Sequence, residues 1–250
     1  METLSLHHWF DTPLGQFLLE REQRWLDANL SDIFGYHALQ LGLPERDLMR
    51  ESRIPTKLIV DPAFDPAVGP SVASSTSIIS AFEALPIAAE SIDLCVLPHT
   101  LEFCAQPHEI LREINRVMIP EGRIMIIGFN PWSLFGARRL FNTDAVPWNG
   151  RFVSLVQMKD WLSLLGFEVS AGNLTCYMPP LQSQAWIDRL RGVERVAQHW
   201  LGVTGAVYML QAVKRVEGMR LIKPKWSTAA QKESKLAAVA RRRSKIVQVK

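Results

Sequence analysis

Cysteine is scarce in this chain of 250 residues: Cys95, Cys104 and Cys176 are the whole complement. Three thiols so far apart cannot build a disulfide framework, and no CxxC pair exists to hold zinc or run redox exchange. Long apolar runs are missing too. No stretch approaches the ~18–20 apolar residues that span a bilayer. The first ten residues contain Glu2, His7 and His8 and no apolar core, so they are not read as a secretory signal. The expected compartment is a reducing cytoplasm. His7, His8, His37, His108 and His199 show no ligand spacing, so no metal is expected. No internal repeat is found, and no low-complexity segment before the C-terminal tail.

What is present fits an ordinary globular domain, with 48% hydrophobic and 21% charged residues. Charge is uneven. From Lys214 onward lie 12 of the 28 basic residues and 2 of the 25 acidic ones, a net of +10, which leaves the rest at −7. The division expected is an N-terminal helical extension (1–35), an α/β domain (36–217) and a basic tail (218–250). Within the tail, 229–250 carries the run Arg241-Arg242-Arg243. Its two readings are a solvated extension and an electrostatic arm for nucleic acid or another acidic partner.

Along the body, short apolar runs alternate with helical patterns. Thr12-Pro13 starts a helix whose Leu14, Phe17, Leu18, Trp25 and Leu26 recur at helical spacing. Strands are expected at 38–41, 57–61, 77–80, 92–97, 123–129, 167–170 and 206–213. A short helix is expected at 45–51. Pro107 opens a helix with the stripe Ile110, Leu111, Ile114, Val117 and Met118, and Ser154 caps another with Leu155, Met158, Leu162 and Leu165. Such alternation means βαβ units and a largely parallel sheet covered on both faces. Ligands of such sheets bind beyond the carboxyl ends of the strands, where strand order reverses. Two loops there stand out, Gly42-Leu43-Pro44-Glu45 and Pro98-His99-Thr100. Asp61 lies 19 residues beyond Gly42 and ends a strand, which suits a carboxylate gripping ribose hydroxyls; Asp61-Pro62 also suits a plain turn.

Several segments in order resemble class I S-adenosylmethionine-dependent methyltransferases of the type 11 group. They are Ala84-Leu85-Pro86, the strand 91–97 with Leu101-Glu102, and Pro107, Leu111, Glu113, Arg116-Val117, Pro120 and Gly122-Arg123 leading to Phe129. Trp161-Leu162 through Leu165-Gly166-Phe167-Glu168-Val169 completes the set. Thr12 to Gly15 and Phe34 to Gln40 are similar to an uncharacterised bacterial subgroup of it. The resemblance implies a Rossmann-like sheet of seven strands, six parallel and the last antiparallel, with helices on both faces. It implies S-adenosylmethionine as cofactor, with Gly42 beneath the methionine moiety, Asp61 at the ribose, Ala81 and Phe82 beside the adenine and His99 near the sulfonium.

The family's acid-x-Gly-x-Gly-x-Gly loop is altered here to Gln40, Gly42, Pro44 and Arg46. Pro44 has no N–H to offer. Arg46 has the chemistry to pair with the cofactor's carboxylate instead. Gln40, Gly42, Pro44, Asp61, Ala81, Phe82 and His99 are the expected cofactor contacts. His99 is the expected catalytic base toward an unidentified acceptor, and Asn130 a substrate-orienting side chain. Trp132, Phe135, Phe141, Val146 and Trp148 make an aromatic-rich insertion, readable as a lid or as sheet-edge packing. The rival to an active methyltransferase is an inactive binding or regulatory module of the same fold, contacting nucleic acid through the tail. If 229–250 holds nucleic acid, its deletion removes salt-dependent binding to DNA and RNA in a filter-binding assay; undiminished binding would refute the arm.

Overall fold

The computed structural model describes residues 6, 8–63, 75–141, 145–180, 182–183, 185–189 and 204–216. The tail expected at 218–250 lies outside them. The first helix, α1, spans Pro13–Leu30; Thr12 accepts the Gly15 N–H and proline fills the first turn. The strands are β1 (His37–Leu41), β2 (Thr56–Val60), β3 (Ser75–Ile78), β4 (Ile92–Pro98), β5 (Met118–Phe129), β6 (Phe167–Thr175) and β7 (Val207–Lys214). Between β4 and β5 runs α2 (Pro107–Val117). Between β5 and β6 run α3 (Leu134–Arg139) and α4 (Leu155–Leu164).

The seven strands form one sheet in the order β3-β2-β1-β4-β5-β7-β6. Every pairing up to β5 is parallel, and β7 runs antiparallel to both β5 and β6. This is the mostly parallel, doubly covered Rossmann-like sheet expected. Alternation explains the two cores. Leu94 and Val96 of β4 face one side with α1, while Cys95 and Leu97 face the other with α2 and α4. Within 1–35, expected as an extension, Leu14, Leu18, Leu26 and Leu30 belong to the same buried cluster as Ala38 of β1.

Three local readings differ from the structure. Residues 45–51 are turns, not a helix. Backbone carbonyls that a helix would use are taken by side chains from elsewhere: Gln40 Nε2 donates to Arg46 O, Gln23 Nε2 to Leu48 O and Lys57 Nζ to Met49 O. Strand β5 starts at Met118, because the helix stops where Met118 turns extended, and a kink with Glu121 at φ +64° carries the chain past Pro120 and Gly122. Strand β6 continues to Thr175, since β7 supplies a partner along its whole length with one irregularity between Val169 and Ala171.

The motif residues have visible work. Glu113 Oε1 accepts the Leu85 N–H at 2.8 Å, and Arg116 donates to Leu85 O and Ile87 O while pairing with Glu113. The hydrogen bond from Arg116 holds the Glu113 carboxyl below the usual range. Lys214 Nζ, nearly buried, donates to Asn115 O and Met118 O and caps α2.

Gly128 is where β5 and β7 meet most tightly. A Cβ there would lie 2.5 Å from the Tyr208 hydroxyl and 2.9 Å from Glu102 Oε1. Gly128→Ala should therefore destabilise the fold by about 1–3 kcal/mol in denaturant unfolding, because the fully buried Tyr208 ring has nowhere to move. An unchanged midpoint would contradict this packing.

Candidate functional site

Strand order reverses between β1 and β4, and the carboxyl ends of β1, β2 and β4 lie where sheets of this kind have their binding crevice. Gly42, just after β1, has φ +89°, followed by Leu43 at +50°. A side chain at such φ is strained, which explains glycine. The N–H of Gly42 donates to Val60 O at 2.8 Å, tying the turn to β2. A Cβ on Gly42 would meet only Thr100 Oγ1 at 3.6 Å and Phe82 Cζ at 4.0 Å. Gly42 thus sits between Phe82 and Thr100 with room for no more than ordinary contact with either. Thr100 is fixed by donating to Leu41 O at 2.6 Å.

Gln40 is fully buried and points into the loop. Its Nε2 donates to Gly42 O and Leu43 O at 2.9 Å and to Arg46 O at 3.2 Å. Three carbonyls converge here, so a donor is required; a carboxylate would be repelled. Pro44 is buried beside it. Arg46 pairs with Asp11 at 2.6 Å. Its guanidinium thus joins the loop to the start of α1.

Asp61 is 1% exposed, and its Oδ1 accepts the Ala63 N–H at 2.7 Å. This is an Asx turn, one of the two readings of Asp61-Pro62. Phe82 is buried beside Gly42, whereas Ala81 is exposed. Asn130 is buried. Its Nδ2 donates to Gly205 O and its Oδ1 accepts the Trp132 N–H, so it joins the ends of β5 and β7. Of the insertion aromatics, Phe135 and Trp148 are buried while Trp132 and Phe141 are exposed.

His99 lies at the tip of β4 with φ +53° and no exposure to solvent. Its Nε2 is 3.0 Å from Glu22 Oε1 of α1. Its Nδ1 is 3.5 Å from Glu102 Oε1, long for a hydrogen bond but close for a charge. Glu102 Oε1 also accepts the Phe129 N–H at 2.7 Å. The imidazole packs 4.2 Å from the Phe129 ring and 5.5 Å from Phe10. Burial alone would pull its pKa down. The carboxylates of Glu22 and Glu102 outweigh burial and push it up to about 9. The raised pKa favours the imidazolium at neutral pH, between two acids that are buried with it. Burial, then the Glu102 charge, raises the neighbouring Tyr208 phenol well above its ordinary range.

Glu22 and Glu102 went unremarked as members of a cluster in the sequence, though Glu22 left a signal. Leu14, Leu18, Glu22, Leu26 and Leu30 follow at intervals of four on one helix face, with the acid at the centre of an otherwise apolar stripe. A buried acid needs a partner, and His99 is the buried histidine that meets it.

The raised His99 pKa fixes a sign. A folded-state value near 9 against 6.5 in the unfolded chain contributes stability that is complete below pH 6.5 and lost as pH rises through 9. Unfolding measured across that window should therefore show stability falling by about 3 kcal/mol. Neither His99→Gln nor Glu22→Gln should retain that dependence. A pH-independent wild type would contradict the ion cluster.

Comparison with known proteins agrees with this fold. A methyltransferase domain model matches residues 65–126. The uncharacterised protein YafS of Escherichia coli K12 is 35% identical over 163 residues, which are 64% of this chain and 65% of that protein. The chain thus matches slightly under two thirds of that relative's length. A SAM-dependent methyltransferase from Archaeoglobus fulgidus superposes with TM-score 0.58 at 18% identity, covering 80% of this chain and 94% of that one. The [4+2]-cyclase SpnF superposes with TM-score 0.56 at 16% identity, covering 79% and 81%. Over residues 65–126 the chain is thus similar to the methyltransferase domain, and its sheet has the fold of these solved structures.

Proposed function

We propose that the chain binds S-adenosylmethionine in the crevice between β1 and β4 and transfers its methyl group to an acceptor. The observation that carries this reading is Gly42: it holds φ +89° beside Phe82 at the point where strand order reverses, and its N–H bonds Val60 O, the residue before the buried Asp61. The residues present suit the nucleoside end of that cofactor. Asp61 is the carboxylate for the ribose hydroxyls, and Phe82 supplies a ring face beside the adenine, with Ala81 next to it. The methionine end is altered. Gln40 and Pro44 give the loop a closed, carbonyl-lined interior, and Arg46 is engaged by Asp11. The cofactor, when bound, supplies a methyl group already activated by its sulfonium. The chain's part is to hold the acceptor in line with that methyl and keep water out.

His99 takes a different part in this proposal from the base expected of it. An imidazolium locked between Glu22 and Glu102 has no lone pair for an acceptor's proton. It fixes the end of β4 and brings α1 over the crevice. The competing reading is a fold kept for another role, and it draws on the Gln40 staple and the Arg46–Asp11 pair. The fold by itself does not decide, since a cyclase shares it.

Calorimetric titration with S-adenosylmethionine, S-adenosylhomocysteine and methylthioadenosine separates the two. The proposal expects micromolar binding of the first two. It expects methylthioadenosine to follow within about tenfold, because the nucleoside end carries the affinity. Asp61→Ala should weaken all three by about tenfold or more. Absence of binding up to millimolar concentration would favour the non-catalytic module.

A further inference from the structure

Two adjoining cavities open at the carboxyl edge of the sheet, beyond β5, β6 and β7. One has a volume of about 440 Å³ and the other about 600 Å³, each within the range of small-molecule sites. They share Trp132 and Ser154 in their walls. The smaller is walled mainly by Trp132, Leu155, Val156 and Leu174. The larger reaches past Phe152 to Arg139.

Their rim is apolar and open to water. Trp132 is 77% exposed, Leu140 81% and Val156 70%. A clustered set of exposed large apolar groups around a concavity marks a binding surface rather than a surface average. The charge on these walls has one sign. Arg139 is the only charged residue among the described lining residues, and no Asp or Glu lines either cavity.

Arg139 is held in place. Its Nε donates to Trp148 O at 3.2 Å, and its guanidinium lies 5.5 Å from the centre of the Phe152 ring. It has no ion-pair partner among the described residues, although it is half-buried. Such a guanidinium offers its terminal N–H groups as a fork that matches a carboxylate. The neighbouring Arg138 is spent differently, donating to Pro180 O beside the Trp148 ring.

We infer that these cavities form one binding site for a small amphipathic carboxylate. Its apolar body lies against Trp132, Val156 and Leu174, and its carboxylate meets Arg139. As the seat of the methyl acceptor, the site rests on the function proposed above. As a binding site it stands without it, and binding alone is what the test reads.

The full chain is titrated by calorimetry with decanoate and with decan-1-ol, the same chain length without charge. Saturable binding of one decanoate is expected, about tenfold tighter than decan-1-ol. Arg139→Gln should erase that preference while leaving decan-1-ol binding in place. Trp132→Ala, at an exposed position, should weaken both ligands by about tenfold and leave affinity for S-adenosylmethionine unchanged. Decanoate binding that does not saturate, or that ignores Trp132→Ala, would overturn the site. So would a chain that ignores decanoate but binds phosphatidylglycerol vesicles through Trp132, which would make this rim a membrane-docking face. Decanoate binding without any S-adenosylmethionine binding would sustain the site and refute the methyl-transfer reading alone.

Discussion

A buried histidine held between two buried acids joins the first helix to the middle of the sheet. Glu22 comes from α1, His99 from the tip of β4 and Glu102 from the loop beyond it. Around them close Phe10, Phe129 and the Tyr208 hydroxyl, so a break in the cluster would strand a charge in an aromatic core. Desolvating such a group is expensive, and loss of one partner is worse than loss of all. The geometry of the crevice follows from this constraint. With His99 fixed at positive φ, Thr100 is set to hold Leu41 and the turn at Gly42 is set against Phe82.

The crevice itself is divided. At the end proposed for the nucleoside, Asp61 is buried and Phe82 lies beside Gly42. At the other end, the loop's polar capacity is turned inward, with Gln40 satisfying carbonyls that a glycine-rich loop would leave to other partners. The altered residues are therefore consistent with one another: the proline gives up an N–H in a loop whose interior is lined by acceptors, and the glutamine supplies donors in its place. Arg46, released from the loop's interior, ties the loop to Asp11 before α1.

The sheet was legible because buried parallel strands are continuous apolar runs bounded by turn residues, as at Ile92 to Pro98, and because the α2 stripe has a clear period. The residues 45–51 misled, since their pattern is helical only until distant side chains claim the carbonyls. Gly42, Asp61 and Phe82 were singled out by spacing and family resemblance, and the structure buries Asp61 and sets Phe82 beside Gly42. The Glu22–His99 contact was not, for it joins residues 77 apart, and neither sequence neighbourhood names the other. Only the acid inside a leucine stripe pointed to it. The Trp132 rim was visible as an aromatic-rich insertion, but which rings turn inward depends on packing that pairs Phe135 with Trp148 and Phe129.

The reversal of β7 also sets where the chain departs. Because β7 begins beside Phe129 and ends beside Phe167, the described chain leaves the sheet at the end opposite the crevice. Eight strand residues separate the two ends, roughly 25 Å of extended backbone. The direction of one strand therefore sets on which side of the sheet the described chain ends.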